Sequence, residues 1–435
     1  MIQFRANSRV IIAASCSAAV ALSVFTAGST AARSFSEVKV RGAEFIAEEN
    51  IRIACEIETE VDYTPADLEV MQDCLMNSGQ FDSVRVAAEG STLVVTVDEI
   101  NDRPGRIDVG LAYNSRDGAL GTLYFERYNL FPGTFGAIEL SYGEETRSLQ
   151  THLYHRDAFN GFDIGLDTLL SETDFGDQGF KNQRLIVEPY LAYPISDRGR
   201  LEFGIGYRKD KMSNIAVGAS PLLFAEEGEV SAPFIRLGAR YSSNPVSDQD
   251  DSSTGFSLAF DQYFWGLGTD FNTAETRVKA DARFALADDI DLLIGVHGGV
   301  VSGGNGASTR ASDRFFIGGS DFRGFAARGI GPKDGDYFVG ANQYIVSSIE
   351  VQKSLGDVLG KSTRIGAFID VGSAWGLDND LGGSIDDNRH VRSSAGLSLT
   401  FDVAEIPVSV YVAKPIDMEA GDEEQNFGIS FSSSF

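Results

Sequence analysis

Arg323 lies between an aromatic residue and a glycine in the run FFIGGSDFRGFAARGIGP, residues 315–332. A guanidinium is planar, permanently charged and forked, so it binds a carboxylate through two parallel hydrogen bonds. Gly318, Gly319, Gly324 and Gly331 loosen the backbone around it, and Phe325 follows at once. On the loop alone, an ordinary solvated charge is the alternative to an arginine with a fixed partner. The usual catalytic patterns are missing: there is no Gly-x-Ser-x-Gly elbow and no phosphate-binding loop. The four histidines are scattered, and His152 and His155, three apart, fall on opposite faces of a strand, which is poor for a shared metal. No catalytic residue, metal or cofactor is therefore expected. A formal net charge of -27 also argues against a nucleic-acid partner, which needs clustered Lys and Arg.

The elements around this loop read as strands. In RIDVGLAY, Ile107, Val109, Leu111 and Tyr113 alternate with Asp108, Gly110 and Ala112. In LEFGIGYR, Leu201, Phe203, Ile205 and Tyr207 oppose Glu202, Gly204, Gly206 and Arg208. About sixteen such segments fill residues 103–435, with one face apolar and the other small, polar or charged. An even number of alternating strands behind an export signal predicts a mostly β chain built on a 16-stranded antiparallel transmembrane β-barrel. Residues 303–340 then form a long loop between its eleventh and twelfth strands.

Ahead of the barrel, residues 1–32 carry Arg5 and Arg9, then an apolar run and small residues, which predicts a cleaved signal peptide. A membrane anchor and a lipoprotein signal at Cys16 are the alternatives. Residues 33–102 predict one small α/β domain of order β-α-α-β-β. Its first helix spans 47–57, with Ile51, Ile53 and Ala54 apolar, and its second opens at Thr64-Pro65.

Two resemblances sharpen this reading. The α/β module, with its GQFDSVRV stretch from Gly79, resembles a POTRA domain, which implies a periplasmic module able to take a client chain onto a sheet edge. Cys55 and Cys74, on its two helices, then pair most simply as a disulfide in an oxidising periplasm, with two buried thiols as the alternative. The loop at 315–332, the strand around Glu350, the GAFIDVGSAWG strand and the last three strands resemble the BamA/TamA superfamily. That resemblance implies a loop folded into the barrel lumen, with Arg323 held by Glu350 and Asp370 on the twelfth and thirteenth strands. Asp370 shares a strand face with Gly366 and Phe368, while Ile365, Ala367, Ile369 and Val371 form a lipid-compatible face.

The terminal FGISFSSSF places Phe427, Ile429, Phe431 and Phe435 on one face and resembles the recognition signal of outer-membrane barrels. The family further implies an outer-membrane location, contact with outer-membrane lipid and lipopolysaccharide, unfolded β-barrel or exported clients, and a periplasmic or inner-membrane partner reached through the POTRA module. Clients would be inserted at a seam between the first and last strands. Gly110, Gly428 and Ser432 to Ser434 either weaken that seam or serve lumen-side packing. A two-partner-type pore for one exported protein is the alternative function.

Overall fold

The computed structural model describes residues 33–43, 46, 48–55, 57–59, 61–77, 81–99, 106–114, 118–131, 134–196, 198–243, 254–358, 361–403 and 406–431. The expected signal peptide, Cys16, Gly79 and Phe435 lie outside the described residues. The chain divides into two units, one of Met1–Ala43 with Glu48–Glu99 and one of Glu44–Ala47 with Ile100–Phe435.

In the first unit β1 (Glu37–Arg41) runs parallel to β3 (Thr92–Glu99), which pairs antiparallel with β2 (Phe81–Glu89). Between β1 and β2 the chain forms α1 (Glu48–Ala54) and α2 (Pro65–Asn77). Proline opens α2 where its missing N–H costs nothing. The Thr64 hydroxyl accepts from the Asp67 N–H at 3.3 Å, and the Asp67 carboxylate accepts from the Thr64 N–H at 2.7 Å, a reciprocal cap. Ile51, Met71 and Leu75 are buried among the core residues with Phe35, Val40, Leu93 and Val95. Ile53, apolar on the same helix, is 66% exposed. Two positions apart on a helix is about 200° of rotation, so Ile51 and Ile53 cannot share one narrow buried stripe. Cys55, in the turn that ends α1, is bonded to Cys74 of α2 across a Cα separation of 6.0 Å.

The second unit is dominated by one antiparallel sheet, sixteen-stranded among the described residues. Its strands are β4 (Arg106–Asn114), β5 (Gly118–Phe131), β6 (Thr134–Gly143), β7 (Thr146–Phe159), β8 (Phe162–Phe175), β9 (Phe180–Ser196), β10 (Gly199–Ser213) and β11 (Gly228–Ser242). They continue as β12 (Gly255–Trp265), β13 (Thr273–Ala287), β14 (Ile290–Gly303), β15 (Gln343–Val358), β16 (Lys361–Trp375), β17 (Arg392–Val403), β18 (Ile406–Asp417) and β19 (Phe427–Phe431). Every strand pairs with its neighbours in chain order, so the long connection 304–342 joins the eleventh strand to the twelfth. A short helix, α3 (Pro221–Glu226), interrupts the connection between β10 and β11.

Alternation survives into three dimensions. On β10 the side chains of Leu201, Phe203, Ile205 and Tyr207 are exposed while Glu202, Gly204 and Gly206 are buried. On β16 Ile365, Ile369 and Val371 point outward and Gly366, Phe368 and Asp370 inward. Ile107 and Val109 of β4 and Phe427 of β19 are likewise exposed. An apolar exterior around an ionic interior is what a sheet needs to sit in lipid.

The inner face has its own pattern. Tyr190 stands directly opposite Gly165, Phe234 opposite Gly206, Phe368 opposite Gly396 and Tyr411 opposite Gly428. In each pair the ring lies over the glycine, where any Cβ would overlap it. Of the two readings of Gly428, lumen-side packing is the one with an observed cause: the Tyr411 ring occupies the space a side chain would fill. At the sheet's ends, β4 and β19 bring Cα atoms within 8 Å of each other, and among the described residues no backbone ladder joins them. Among the described residues β19 pairs with β18 at five positions, from Val408↔Phe431 to Val412↔Phe427.

Candidate functional site

The loop carrying Arg323 folds against the inner face because its apolar residues must be buried. Phe322 and Phe325 are fully buried, and they pack with Val301, Phe315, Ile317 and Val346. On β16 Gly372 makes room, since a Cβ there would lie 3.0 Å from the Phe322 ring. Two loop glycines are required by backbone shape. Gly318 has φ +137° with a would-be Cβ overlapping the Ala326 carbonyl oxygen, and Gly324 has φ +95° with a would-be Cβ 2.8 Å from Ser394 Cβ. These are conformations that other residues adopt only with strain. The Gly319 carbonyl accepts a 3.3 Å hydrogen bond from the Tyr411 hydroxyl, and Gly331 sits against Ala374.

With the two phenylalanines seated, Arg323 is aimed at the sheet wall. Its Nε donates to Asp370 Oδ2 at 2.9 Å and its Nη2 to Asp370 Oδ1 at 2.8 Å, a bidentate fork. Its Nη1 donates to Glu350 Oε2, its Nη2 also to Ser348 Oγ at 2.9 Å, and its backbone N–H to Asp370 Oδ2 at 3.2 Å. The guanidinium carbon stacks 3.3 Å from the centre of the Phe368 ring. The remaining acceptor capacity of the acids is filled as well. Ser348 Oγ donates to Asp370 at 2.7 Å, and Ser398 Oγ and Gln352 Nε2 donate to Glu350 at 2.6 and 2.8 Å. Side-chain exposure is 14% for Arg323, 10% for Glu350 and 2% for Asp370. Burial opposes the charge of Arg323, but the hydrogen bonds and fields of the two carboxylates outweigh it, so its pKa lies above the ordinary arginine value.

The structure thus brings Arg323, Glu350 and Asp370 together, with Gly324 and Phe325 as the loop's seat. Sequence reasoning placed Phe368 on the right face without seeing that its ring carries the guanidinium. Ser348 and Ser398 escaped it entirely; their signal is slight, being small polar residues at inward positions of strands beside the acids.

Further ties hold the rest of the loop. Arg314 Nη2 donates to both carboxylate oxygens of Glu226 at the end of α3 at 2.7 Å, and Arg310 donates to the Glu226 and Gly228 carbonyls at 2.8 and 2.9 Å. On its far side, the Ala326 N–H donates to the Glu423 carbonyl at 2.8 Å and the Glu423 N–H to the Gly329 carbonyl at 2.9 Å. Gly324 and Phe325 also pair with Gln425 and Glu424 in a two-residue antiparallel ladder.

An apolar outer face, an inner face carrying paired charges, and a loop bolted to inner-face carboxylates are what a membrane-embedded β-sheet protein presents. The chain belongs to the Omp85 superfamily, whose domain model matches residues 132–435. It is 25% identical over 382 residues to the outer membrane protein assembly factor BamA of Neorickettsia risticii, an alignment covering 84% of this chain and 50% of that protein. The chain therefore spans about half the length of that curated relative. Among solved structures, BamA from Haemophilus ducreyi lacking POTRA domains 1-3 superposes with a TM-score of 0.67 at 17% identity, over 91% of this chain and 83% of that one. CdiB from Acinetobacter baumannii gives 0.56 at 12% identity, over 92% and 73%. At these identities the two structures speak to the fold alone.

Proposed function

We propose that this protein is a non-enzymatic outer-membrane factor that assists the insertion and assembly of other β-rich proteins. In this reading the sixteen strands close as a barrel, and residues 33–102 form a periplasmic POTRA domain that receives an unfolded client and passes it to the seam between β4 and β19. The observation that carries the reading is that β4 and β19 approach within 8 Å at Cα with no backbone ladder between them among the described residues. Among the described residues all five positions of β19 pair with β18, and none pairs with β4. Backbone groups left unpaired at a sheet edge template the addition of another strand. The described rims of β4 and β19 are apolar outward, as a lipid-facing exit requires.

Quantitative proteomics of membrane and secreted fractions after depletion tests this function. Several integral barrels should fall together in the outer membrane. Loss of one secreted protein with the membrane unchanged would overturn the assembly role in favour of a dedicated two-partner-type pore.

A further inference from the structure

The terminal strand has a second support that its sheet pairing does not reveal. Immediately before it, residues 423–425 are gripped by the Arg323 loop. Glu423 exchanges backbone hydrogen bonds with Ala326 and Gly329, and Glu424 and Gln425 pair with Phe325 and Gly324. The Lys333 ammonium reaches the Gly421 carbonyl at 3.2 Å, and Tyr411, whose ring covers Gly428 of β19, donates to the Gly319 carbonyl. The Arg323 backbone carbonyl is itself held by the Ser394 hydroxyl of β17. Beside the five described sheet positions of β19, four loop residues, Gly324, Phe325, Ala326 and Gly329, are backbone-paired to residues 423–425 at the head of the same strand.

We infer that the Arg323 loop is a strut for the terminal strand: the ion pair with Asp370 and Glu350 fixes the loop, and the loop fixes the segment that leads into β19. Arg323 and the pair Glu423–Gln425 are then positioning residues for the seam. Releasing the arginine frees the head of the last strand while the other strands keep their ladders. The inference rests on the seam reading above for its purpose, but its physical content is a coupling between two places in the fold. Each of those places is held by hydrogen bonds that can open locally without global unfolding.

Hydrogen exchange of the full chain in lipid nanodiscs tests the coupling without any client, so its outcome is separable from that of the assembly role. Two variants are compared with the parent. Arg323→Ala removes the ion pair. Ala326→Pro leaves Arg323, Glu350 and Asp370 in place but deletes the N–H that binds Glu423. The expected result is exchange about tenfold faster in peptides covering residues 424–431 in both variants, with β15 and β16 protected as before. Unchanged exchange in those peptides, with the loop itself exposed, would overturn the inference. So would a uniform rise across all strands with no excess in β19, since the arginine would then support the whole sheet rather than its last strand.

Discussion

Deleting the arginine should open the loop by a predictable amount. Arg323→Ala leaves Asp370 and Glu350 facing a buried space with no cation between them, and breaking a buried pair costs ~3–5 kcal/mol. Relaxation by carboxyl protonation and water entry favours the lower end. Because 1.4 kcal/mol is tenfold in an equilibrium constant, the open loop should gain population by roughly two orders of magnitude. Trypsin cleavage at Arg328, which survives the substitution, reads that population when opening and closing outpace cleavage. Partial losses should rank by geometry. Asp370→Asn removes the fork and weakens the acceptor of the backbone N–H, whereas Glu350→Gln removes one charged contact and leaves the fork intact. Asp370→Asn should therefore open the loop further. Arg323→Lys, charged but unforked, should fall between Arg323→Ala and the parent. If Arg328 is cut at the parental rate in a folded, heat-modifiable Arg323→Ala protein, the loop is held by its other ties and the ion-pair account fails.

Other consequences follow from single positions. Gly324→Ala should destabilise the loop by about 1–3 kcal/mol, through its positive φ and the crowding of Ser394, and raise cleavage at Arg328 with Arg323 untouched. Ile369→Arg places a charge on the outward face of β16 and should cost about 2–4 kcal/mol in refolding titrations into bilayers if it sits near the midplane; a neutral result would refute lipid exposure of that face. Reducing Cys55–Cys74, nineteen residues apart, should lower the stability of the isolated transition of the first unit by about 3 kcal/mol while leaving the sheet's transition in place, measurable by calorimetry with and without reductant.

The strands were readable because their signal is local: a period of two in LEFGIGYR sorts Phe203 from Glu202 without knowing any neighbour. The position of the long connection followed from counting those segments. The ion pair was different in kind. Arg323 lies 27 residues from Glu350 and 47 from Asp370, and no local rule links them, so only family resemblance supplied the partners. The grip of the loop on residues 423–425 was out of reach for the same reason, about a hundred residues apart along the chain with no charge or spacing to mark it. The helix α3 is a miss with a visible cue. Ser220 caps it by accepting from the Leu222 N–H at 3.3 Å, and Pro221 follows as its first residue, the same signal that located α2. Its six residues carry too little periodicity to stand out beside strands of fifteen.

The paired rings and glycines on the inner wall have a consequence for how this sequence can change. Tyr190 with Gly165, Phe234 with Gly206, Phe368 with Gly396 and Tyr411 with Gly428 each behave as one unit of volume shared by two strands. Neither member can drift alone: a bulkier residue at the glycine displaces the ring, and a smaller residue at the ring leaves a void over bare backbone. Divergence at such a place must proceed by joint substitution, or by a swap of which strand carries the bulk. Positions far apart in the chain are thereby bound to a common history, legible as covariation wherever many sequences of this kind are aligned.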